Sequence, residues 1–282
     1  MQVVEHFGDY EIISMSNGEK KERWGKYYLL RPDPEIIWKE KIEYNDISAH
    51  YHRSNKGGGY WEKQKNLPDS WQVNYKDLKF NVKLMGFKHT GIFPEQAINW
   101  DFMREKIKNS GRKIKVLNLF AYTGCATVAC LKEGASVVHV DSSKGMIDWA
   151  KENIKTNNLE NSEVRFLVDD VKKFVEREIR RGNKYDAIIM DPPSFGRGSK
   201  NEVWDIEKDL YDLVSNCMKI LSDDPLFFII NSYTAGLSPI VLENILNIFM
   251  KNKEGKIYSG ELGIRARNNL ILPCGVYARY EK

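Results

Sequence analysis

The sequence predicts an α/β protein with a mostly parallel sheet and a small, mostly β region at its N-terminus. Three observations support this prediction. After residue 110, short apolar segments alternate with helical segments, as in repeated βα units with right-handed crossovers. The last two predicted strands have no helix between them, so they are expected to pair as an antiparallel hairpin. Residues 1–90 instead contain short β-like segments between turn signals.

The change of pattern predicts two domains, a small N-terminal region at residues 1–90 and a larger domain at residues 91–282. In the N-terminal region, segments 26–30 and 78–82 are predicted strands. Segment 53–59 ends in three consecutive glycines and is predicted to be a loop, because glycine loses much conformational freedom in regular structure.

The elements of the larger domain follow in order along the chain. Strands are predicted at 115–120, 136–140, 164–168, 185–190 and 225–231, and the hairpin strands at 255–262 and 270–280. Helices are predicted at 126–133, 144–157, 171–181, 206–221 and 239–250. In the second of these helices Ile147, Ala150 and Ile154 recur at helical spacing. Asp205 precedes the fourth helix and is predicted to be its N-cap.

The composition excludes several classes of protein. Hydrophobic residues make up 42% and charged residues 29%, which excludes a disordered chain. No segment approaches the roughly 20 apolar residues that a membrane-spanning helix needs, and the first residues do not resemble a signal peptide. The net charge of +4 permits an anionic partner without requiring one.

Cysteine and histidine positions give no sign of a metal site or a disulfide framework. The 4 cysteines contain no CxxC pair, so they are expected to be reduced thiols in the cytoplasm. The 5 histidines show no shared metal-ligand spacing, and a structural role is expected for each. We therefore expect no metal.

Polar residues that follow consecutive predicted strands indicate a nucleoside site. In an open α/β sheet, ligands bind at the carboxyl ends of the strands. The first strand leads to Gly124 in a loop that is neither GxGxxG nor a Walker loop, so the cradle for phosphate is missing. Asp141 follows the second strand, where a carboxylate accepts from ribose hydroxyls. Asp169 and Asp170 follow the third strand, and a carboxylate there can accept from an adenine amine. S-adenosylmethionine has an adenosine but no phosphate, and it fits this site.

Three motifs carry a resemblance to a known family: FKHTGIFPEQ (87–96), NLFAYTGCATVA (118–129) and DPPSFGRG (191–198). Together they resemble class I S-adenosylmethionine-dependent methyltransferases, in the group related to bacterial 23S ribosomal RNA methyltransferases. The resemblance implies a Rossmann-like sheet of seven strands with the last antiparallel, in agreement with the predicted hairpin. It also implies that Phe93 and Gln96 close over the cofactor. The complete set of expected cofactor-binding residues is Phe93, Gln96, Phe120, Ala121, Tyr122, Thr123, Gly124, Asp141, Ser142, Asp169, Asp170, Val171, Asp191 and Pro192.

The Asp191-Pro192-Pro193 turn is the expected catalytic element. Two prolines fix the backbone and remove two donors, so the turn is rigid and its carbonyls are expected to point outward as acceptors. With the Asp191 carboxylate they suit a target that presents N–H groups, such as a nucleobase. Related nucleobase methyltransferases carry a stacking aromatic after the prolines. Here Ser194 occupies that position and Phe195 comes one residue later.

The reaction is expected to be methylation of a base nitrogen of RNA, with ribosomal RNA preferred by the resemblance. Carbon-5 methylation of cytosine requires a cysteine nucleophile. The resembled enzymes that catalyse it carry this cysteine after the fifth strand. Segment 231–236 contains none. Two alternatives remain open: methylation of a small molecule or protein, and a non-catalytic protein that keeps the fold. The N-terminal region is an RNA-positioning module in the first case and a substrate lid if the target is small.

Several of these residues also have a purely structural interpretation. Asp141 and Asp170 are each compatible with a simple helix N-cap. Basic side chains beside glycines are compatible either with phosphate contacts or with ordinary surface loops. The residues concerned are Arg53, Lys56, Arg197 and Lys200.

Overall fold

The computed structural model describes residues 1–42, 44–54, 57–198 and 202–282. Lys56 and Lys200, two of the basic residues considered for phosphate contacts, lie outside the described residues. The chain forms two compact units, each described here by itself. The first unit comprises Met1–Ile98 and Leu262–Cys274, and the second comprises Asn99–Glu261 and Gly275–Lys282.

The N-terminal part of the chain is mostly β, as the sequence predicts. Its strands are β1 (Gln2–Val4), β2 (Tyr10–Ser16), β3 (Glu19–Trp24), β4 (Tyr27–Pro32), β5 (Ala49–Arg53), β6 (Gly59–Lys63), β7 (Trp71–Tyr75) and β8 (Leu78–Val82). Strands β2 to β6 form one sheet in chain order, in which β4 and β5 are parallel and the other pairs are antiparallel. Strands β7 and β8 form a separate hairpin. The short β1 pairs in parallel with residues 262–264.

Strands and helices alternate in the rest of the chain. The helices are α1 (Ala97–Asn109), α2 (Cys125–Lys132), α3 (Lys144–Thr156), α4 (Val171–Arg181), α5 (Ile206–Ile220) and α6 (Pro239–Met250). The strands are β9 (Lys115–Leu119), β10 (Ser136–Asp141), β11 (Val164–Val168), β12 (Ala187–Met190), β13 (Phe195–Arg197), β14 (Val203–Asp205), β15 (Phe227–Ser232), β16 (Lys256–Arg265) and β17 (Ile271–Glu281). Among the helices of described residues, none is both long and apolar enough to cross a membrane.

The sheet of the second unit is the Rossmann-like sheet that the sequence predicts. Its strand order is β16-β17-β15-β12-β9-β10-β11. Strands β9 to β12 and β15 are parallel, whereas β17 runs antiparallel to β15. The strand order reverses between β9 and β12, because the chain leaves β9 toward β10 and β11 and returns to β12 on the other side. This reversal is the point at which open α/β sheets bind ligands.

Central strands are buried along their length because helices cover both faces of the sheet. All residues of β12 and β15 are buried. One face of these strands packs on α5 in a single apolar core, which includes Ile188, Met190, Phe228, Ile230, Leu210, Leu213, Val214 and Cys217. Helix α5 begins where predicted, since Asp205 is its N-cap and accepts from the backbone N–H of Glu207.

Within the described part of residues 91–282, two features were not predicted from the sequence. Helix α1 is one of them, and it precedes the first strand of the parallel sheet. The other is the antiparallel hairpin of β13 and β14, which contains Arg197 in a segment expected to be a loop. Strands of three residues are too short to show a periodic pattern, and their pairing depends on register rather than on composition.

A buried ion pair lies at the centre of the first unit. Glu22 of β3 is fully buried and accepts from Arg31 Nε at 2.5 Å, Arg31 Nη2 at 2.7 Å and the Tyr10 hydroxyl at 2.7 Å. Burial by itself raises the pKa of Glu22. The charges of Arg31 and Lys20 and the hydrogen bonds outweigh burial and hold the pKa at about 2. The carboxylate therefore stays charged inside the unit.

We expect Glu22→Gln to destabilise the protein by about 3–5 kcal/mol, because Arg31 would remain buried without a counter-charge. The folded-state pKa of Glu22 is depressed below its ordinary value of 4.5. Its contribution is therefore present above about pH 4.5 and is lost as the pH falls toward 2. Urea unfolding of parent and variant at pH 7 and at pH 3 measures both effects.

The matched control is Glu11→Gln, since Glu11 also pairs with arginines, Arg23 and Arg267, but at a partly exposed position. This control should cost less than about 1 kcal/mol. Equal costs for the two variants would show that the buried pair does not hold the unit together.

Candidate active site

The loop after β9 has an unusual backbone. Phe120 and Tyr122 have positive φ angles of 55° and 51°. Such conformations cost non-glycine residues about 1–3 kcal/mol each. The loop is held by two backbone hydrogen bonds, from Ala121 N–H to the Val140 carbonyl at 3.1 Å and from Gly124 N–H to the Ala121 carbonyl at 3.0 Å. Strained backbone of this kind is concentrated at ligand sites.

Gly124 has two structural reasons to be glycine. Its φ is 81°, and a Cβ atom there would lie 2.9 Å from the Ala150 Cβ and 3.3 Å from the His139 Cε1. A glycine in a loop after a strand also allows a close approach of backbone and ligand. In the structure, the close approach of Gly124 is to α3 and β10. The start of α2 therefore packs against these two elements.

Asp141 is fixed by backbone donors from two different loops. Its Oδ2 accepts from Tyr122 N–H at 2.9 Å, and its Oδ1 accepts from Ser143 N–H at 2.8 Å. The N-cap of α3 is Ser143, so the alternative that Asp141 is the cap is wrong. Burial raises the pKa of Asp141, and the two backbone hydrogen bonds oppose this shift. Each carboxylate oxygen has two lone pairs, so the side chain retains capacity for further donors.

The acids after β11 have structural partners. Asp170 is the N-cap of α4 and accepts from Lys173 N–H at 2.9 Å, as its structural interpretation predicts. Asp169 forms an ion pair with Arg177 and accepts from Asp170 N–H at 2.9 Å. The backbone N–H of Asp169 also donates to the Asp141 carbonyl at 3.0 Å. The ends of β10 and β11 are thereby joined. Ser142 is exposed beside them and Val171 is buried.

The Asp-Pro-Pro turn follows β12 directly and lies on the other side of the strand-order reversal. Asp191 is half-buried and Pro192 is buried. The Pro193 carbonyl accepts from Trp204 Nε1 at 2.7 Å. The expectation that the carbonyls of this turn are open acceptors is therefore wrong for Pro193. The Ser194 hydroxyl lies 2.7 Å from the Thr234 hydroxyl, which connects the turn to the loop after β15.

Trp204 is a residue of this site that the sequence interpretation missed. It is 7% exposed, and its ring centroid lies 4.8 Å from that of Phe120 in the loop after β9. One side chain thus contacts both the loop with the strained backbone and the Asp-Pro-Pro turn. A lone tryptophan beside the acid that caps α5 was the available signal, but nothing in the sequence indicated its two contacts.

The β13–β14 hairpin extends from the turn and presents an aromatic residue. Phe195 is 56% exposed, and the Arg197 guanidinium lies 6.0 Å from its ring centroid. Lys172 and Lys173 of α4 hold the second strand of the hairpin, Lys172 through the Val203 carbonyl at 3.1 Å and Lys173 through Glu202 at 2.7 Å. An exposed aromatic side chain beside a cation is suited to stacking on a nucleobase.

The two residues expected to close over the cofactor lie in the first unit. Phe93 precedes a 3₁₀ turn, Pro94–Gln96, and Gln96 is buried. The Phe93 ring lies 5.4 Å from that of His89. Burial lowers the pKa of His89 to about 4, and the charges of Arg31, Lys88 and Lys20 add to this shift. His89 is therefore neutral near pH 7. The contact of Phe93 and Gln96 with the cofactor stays a prediction.

A buried polar chain lies beneath the loop after β9. Thr127 Oγ1 accepts from Asn118 Nδ2 at 3.0 Å and lies 2.9 Å from His139 Nδ1. Which of these two atoms donates depends on the tautomer of the imidazole. Burial lowers the pKa of His139 to about 3, against a backbone hydrogen bond with Tyr122 that raises it. A structural role fits His139, as expected.

The 4 cysteines are free thiols in poorly solvated positions. Burial raises the pKa of Cys125 to about 12 and raises the pKa values of Cys130, Cys217 and Cys274 as well. A thiol attacks as its thiolate, so none of these side chains is activated as a nucleophile.

Comparison with known proteins agrees with the fold. The chain is 33% identical to a crystal structure of an S-adenosylmethionine-dependent methyltransferase from Agrobacterium tumefaciens, with a TM-score of 0.95 over 99% of this chain and 92% of that one. It is 34% identical to ribosomal RNA large subunit methyltransferase K/L of Pseudoalteromonas atlantica, over 77% of this chain and 30% of the relative. It is 30% identical to ribosomal RNA large subunit methyltransferase K of Neisseria meningitidis serogroup B, over 86% of this chain and 66% of the relative.

The chain therefore matches only about a third of the length of the K/L relative and about two thirds of the K relative. The family model for S-adenosylmethionine-dependent methyltransferases matches residues 40–241, which is most of the chain and includes the loops after β9, β10, β11 and β12. The chain belongs to the family of S-adenosylmethionine-dependent methyltransferases.

Proposed function

We propose that this protein transfers a methyl group from S-adenosylmethionine to a base nitrogen of ribosomal RNA. The observation that carries the proposal is the position of Asp141 and Asp191 on either side of the strand-order reversal, one fixed by backbone donors and the other rigidly attached to two prolines. The ribosomal RNA substrate is proposed because two relatives carry that substrate in their names.

The cofactor half of the site is formed by the loops after β9, β10 and β11. Asp141 accepts hydrogen bonds from the two ribose hydroxyls through its remaining lone pairs. Its two backbone donors hold the carboxylate in place. The loop 120–124 contributes backbone to the same half. Ser142, Asp169, Asp170 and Val171 form the proposed adenine side, and Pro192 completes the set within the second unit. When bound, S-adenosylmethionine supplies an electrophilic methyl carbon on a sulfonium.

The substrate half of the site is formed by the turn after β12. The Asp191 carboxylate accepts a hydrogen bond from an N–H of the target base and orients the attacking nitrogen. Positioning is the main contribution that a protein can make to such a displacement. Phe195, exposed on the hairpin, stacks on the base in place of the aromatic residue that is absent at Ser194.

The surroundings of the cysteines favour nitrogen over cytosine carbon 5 as the target atom. Burial raises the pKa values of Cys125, Cys130 and Cys217, which disfavours their thiolates near pH 7. Carbon-5 methylation of cytosine would require such a thiolate.

The function is tested by incubating the purified chain with isotopically labelled S-adenosylmethionine and unmodified large-subunit ribosomal RNA. Nucleoside mass spectrometry should find the label on a base nitrogen. Asp191→Asn should lower the single-turnover rate by at least about tenfold, since a hydrogen bond to a charged group contributes about 1.5–3 kcal/mol. Its cofactor affinity should change less. Label on cytosine carbon 5, or label only in protein or small-molecule fractions, would contradict the proposal.

Asp141→Asn should weaken S-adenosylmethionine binding by at least about tenfold, because the ribose hydroxyls lose a charged acceptor. Titration calorimetry measures the change, and circular dichroism checks the fold. The matched control is Asp186→Asn. Asp186 also accepts a backbone hydrogen bond, from Lys115 N–H at 2.9 Å, but it lies at the opposite end of β12. Equal affinity in the parent and Asp141→Asn would remove Asp141 from the site.

Trp204→Phe tests a positioning role for the indole N–H. The variant keeps an aromatic ring near Phe120. It loses part of the indole's packing and the hydrogen bond to the Pro193 carbonyl, which contributes about 0.5–1.5 kcal/mol. We expect kcat to fall up to about tenfold while the Kd for S-adenosylmethionine changes less than about twofold. Trp71→Phe is the control, because its indole also donates to a backbone carbonyl, that of Trp24, but in the first unit. A merely structural role would change the melting temperature in both variants and kcat in neither.

A further inference from the structure

Two histidines of the first unit lie side by side on one strand. His50 and His52 are separated by one residue on β5, so both side chains project from the same face of the sheet. Their ring centroids are 4.0 Å apart with an angle of 46° between the planes. Both rings are half-buried. Two imidazoles this close repel each other when both are protonated, whereas their lone pairs can share one cation when they are neutral.

Carboxylates from two other strands of the sheet contact this pair. Glu62 lies directly opposite His50 on β6, and its Oε2 is 2.8 Å from the His52 Nε2. Glu19 of β3 places its Oε1 2.8 Å from the His50 Nε2. The other carboxylate oxygen of Glu19 accepts from the Tyr44 hydroxyl at 3.3 Å. Two imidazoles are thus accompanied by two negative charges.

The geometry is close to that of a metal site. The ligand atoms of His50, His52 and Glu62 all lie within 4.8 Å of one another. Within the part of the chain that the structure describes, this is the one group of three or more His, Cys, Asp or Glu side chains with that property. Zn²⁺ holds nitrogen and oxygen ligands at about 2.0–2.2 Å, which places neighbouring ligand atoms about 3.4 Å apart. Glu62 is exposed, so its side chain can adjust its position around a shared ion.

We propose that His50, His52 and Glu62 bind a single divalent transition-metal ion of the Zn²⁺ class. Imidazole and carboxylate ligands suit Zn²⁺, Cu²⁺ or Ni²⁺, whereas Mg²⁺ and Ca²⁺ prefer oxygen ligands alone. Glu19 acts as the outer carboxylate that orients His50, an arrangement that accompanies most metal-binding histidines. The ion connects β5 to β6. Glu19, through its contact with His50, links this site to β3.

The site was not visible in the spacing of the histidines alone. An H-x-H pair places two ligands on one face of a strand, but the third ligand is 10 residues beyond His52 and reaches the pair only through the antiparallel register of β5 and β6. All three proposed ligands lie in the first unit, and the proposed role of the ion is structural, since it holds β5 against β6.

The test uses the full chain after treatment with a chelator and removal of the chelator. Titration calorimetry with ZnCl₂ should show saturable binding of one ion per chain, and MgCl₂ at the same concentration should show none. His52→Ala and Glu62→Ala should each weaken Zn²⁺ binding at least tenfold. Glu19→Gln should weaken it about tenfold, as loss of an outer carboxylate does. His6→Ala is the matched control, since His6 is an exposed histidine of the same unit.

A second measurement keeps the proposal testable if a variant folds poorly. Zn²⁺ should raise the melting temperature of the parent and of His6→Ala, and should not raise that of the milder variants His52→Asn and Glu62→Gln. Circular dichroism confirms that each variant is folded before metal is added. The proposal is overturned if the parent shows no saturable Zn²⁺ binding. It is also overturned if the folded His52 and Glu62 variants bind Zn²⁺ as tightly as His6→Ala.

Discussion

The reversal of strand order between β9 and β12 is the constraint on which the candidate site depends. Both strands lie in the middle of a parallel sheet and are covered on both faces, so they are mostly apolar, and the polar Asn118 of β9 is buried and hydrogen-bonded to Thr127. Polar side chains that can contact a ligand are therefore found where the strands end. Because the chain departs from β9 in one direction and from β12 in the other, the loops after these strands separate and leave a crevice between them.

Asp141 shows how backbone geometry prepares this crevice. Its carboxylate is held by N–H groups and not by a cation, so its negative charge is not neutralised before a ligand arrives. One of these donors belongs to Tyr122, in the loop with positive φ angles. The acid and the loop therefore stabilise each other. Loss of the acid would release the strained loop, and relaxation of the loop would remove one of the two donors that orient the acid.

The two units use charge differently. In the first unit Glu22 and Arg31 are buried together, and this pair is costly to disrupt but not open to a ligand. The histidine pair on β5 lies nearer the surface, where carboxylates and imidazoles remain accessible to an ion. In the second unit the acids at the strand ends are paired mainly with backbone groups or cap helices. Only this last arrangement leaves carboxylates able to recognise hydroxyl and N–H groups of a nucleoside.

By itself, the sequence determined the α/β class, the positions of most strands and helices after residue 110, and the acids that follow the strands. It could do so because burial on both faces imposes continuous apolar strands, and because parallel strands bring their carboxyl ends to one edge whatever the details of packing. Only the tertiary structure decided that Trp204 joins Phe120 to Pro193, that Ser143 caps α3, and that Glu62 faces His50. These contacts depend on strand register and side-chain direction between residues distant in the chain, and no local pattern of residue types encodes them.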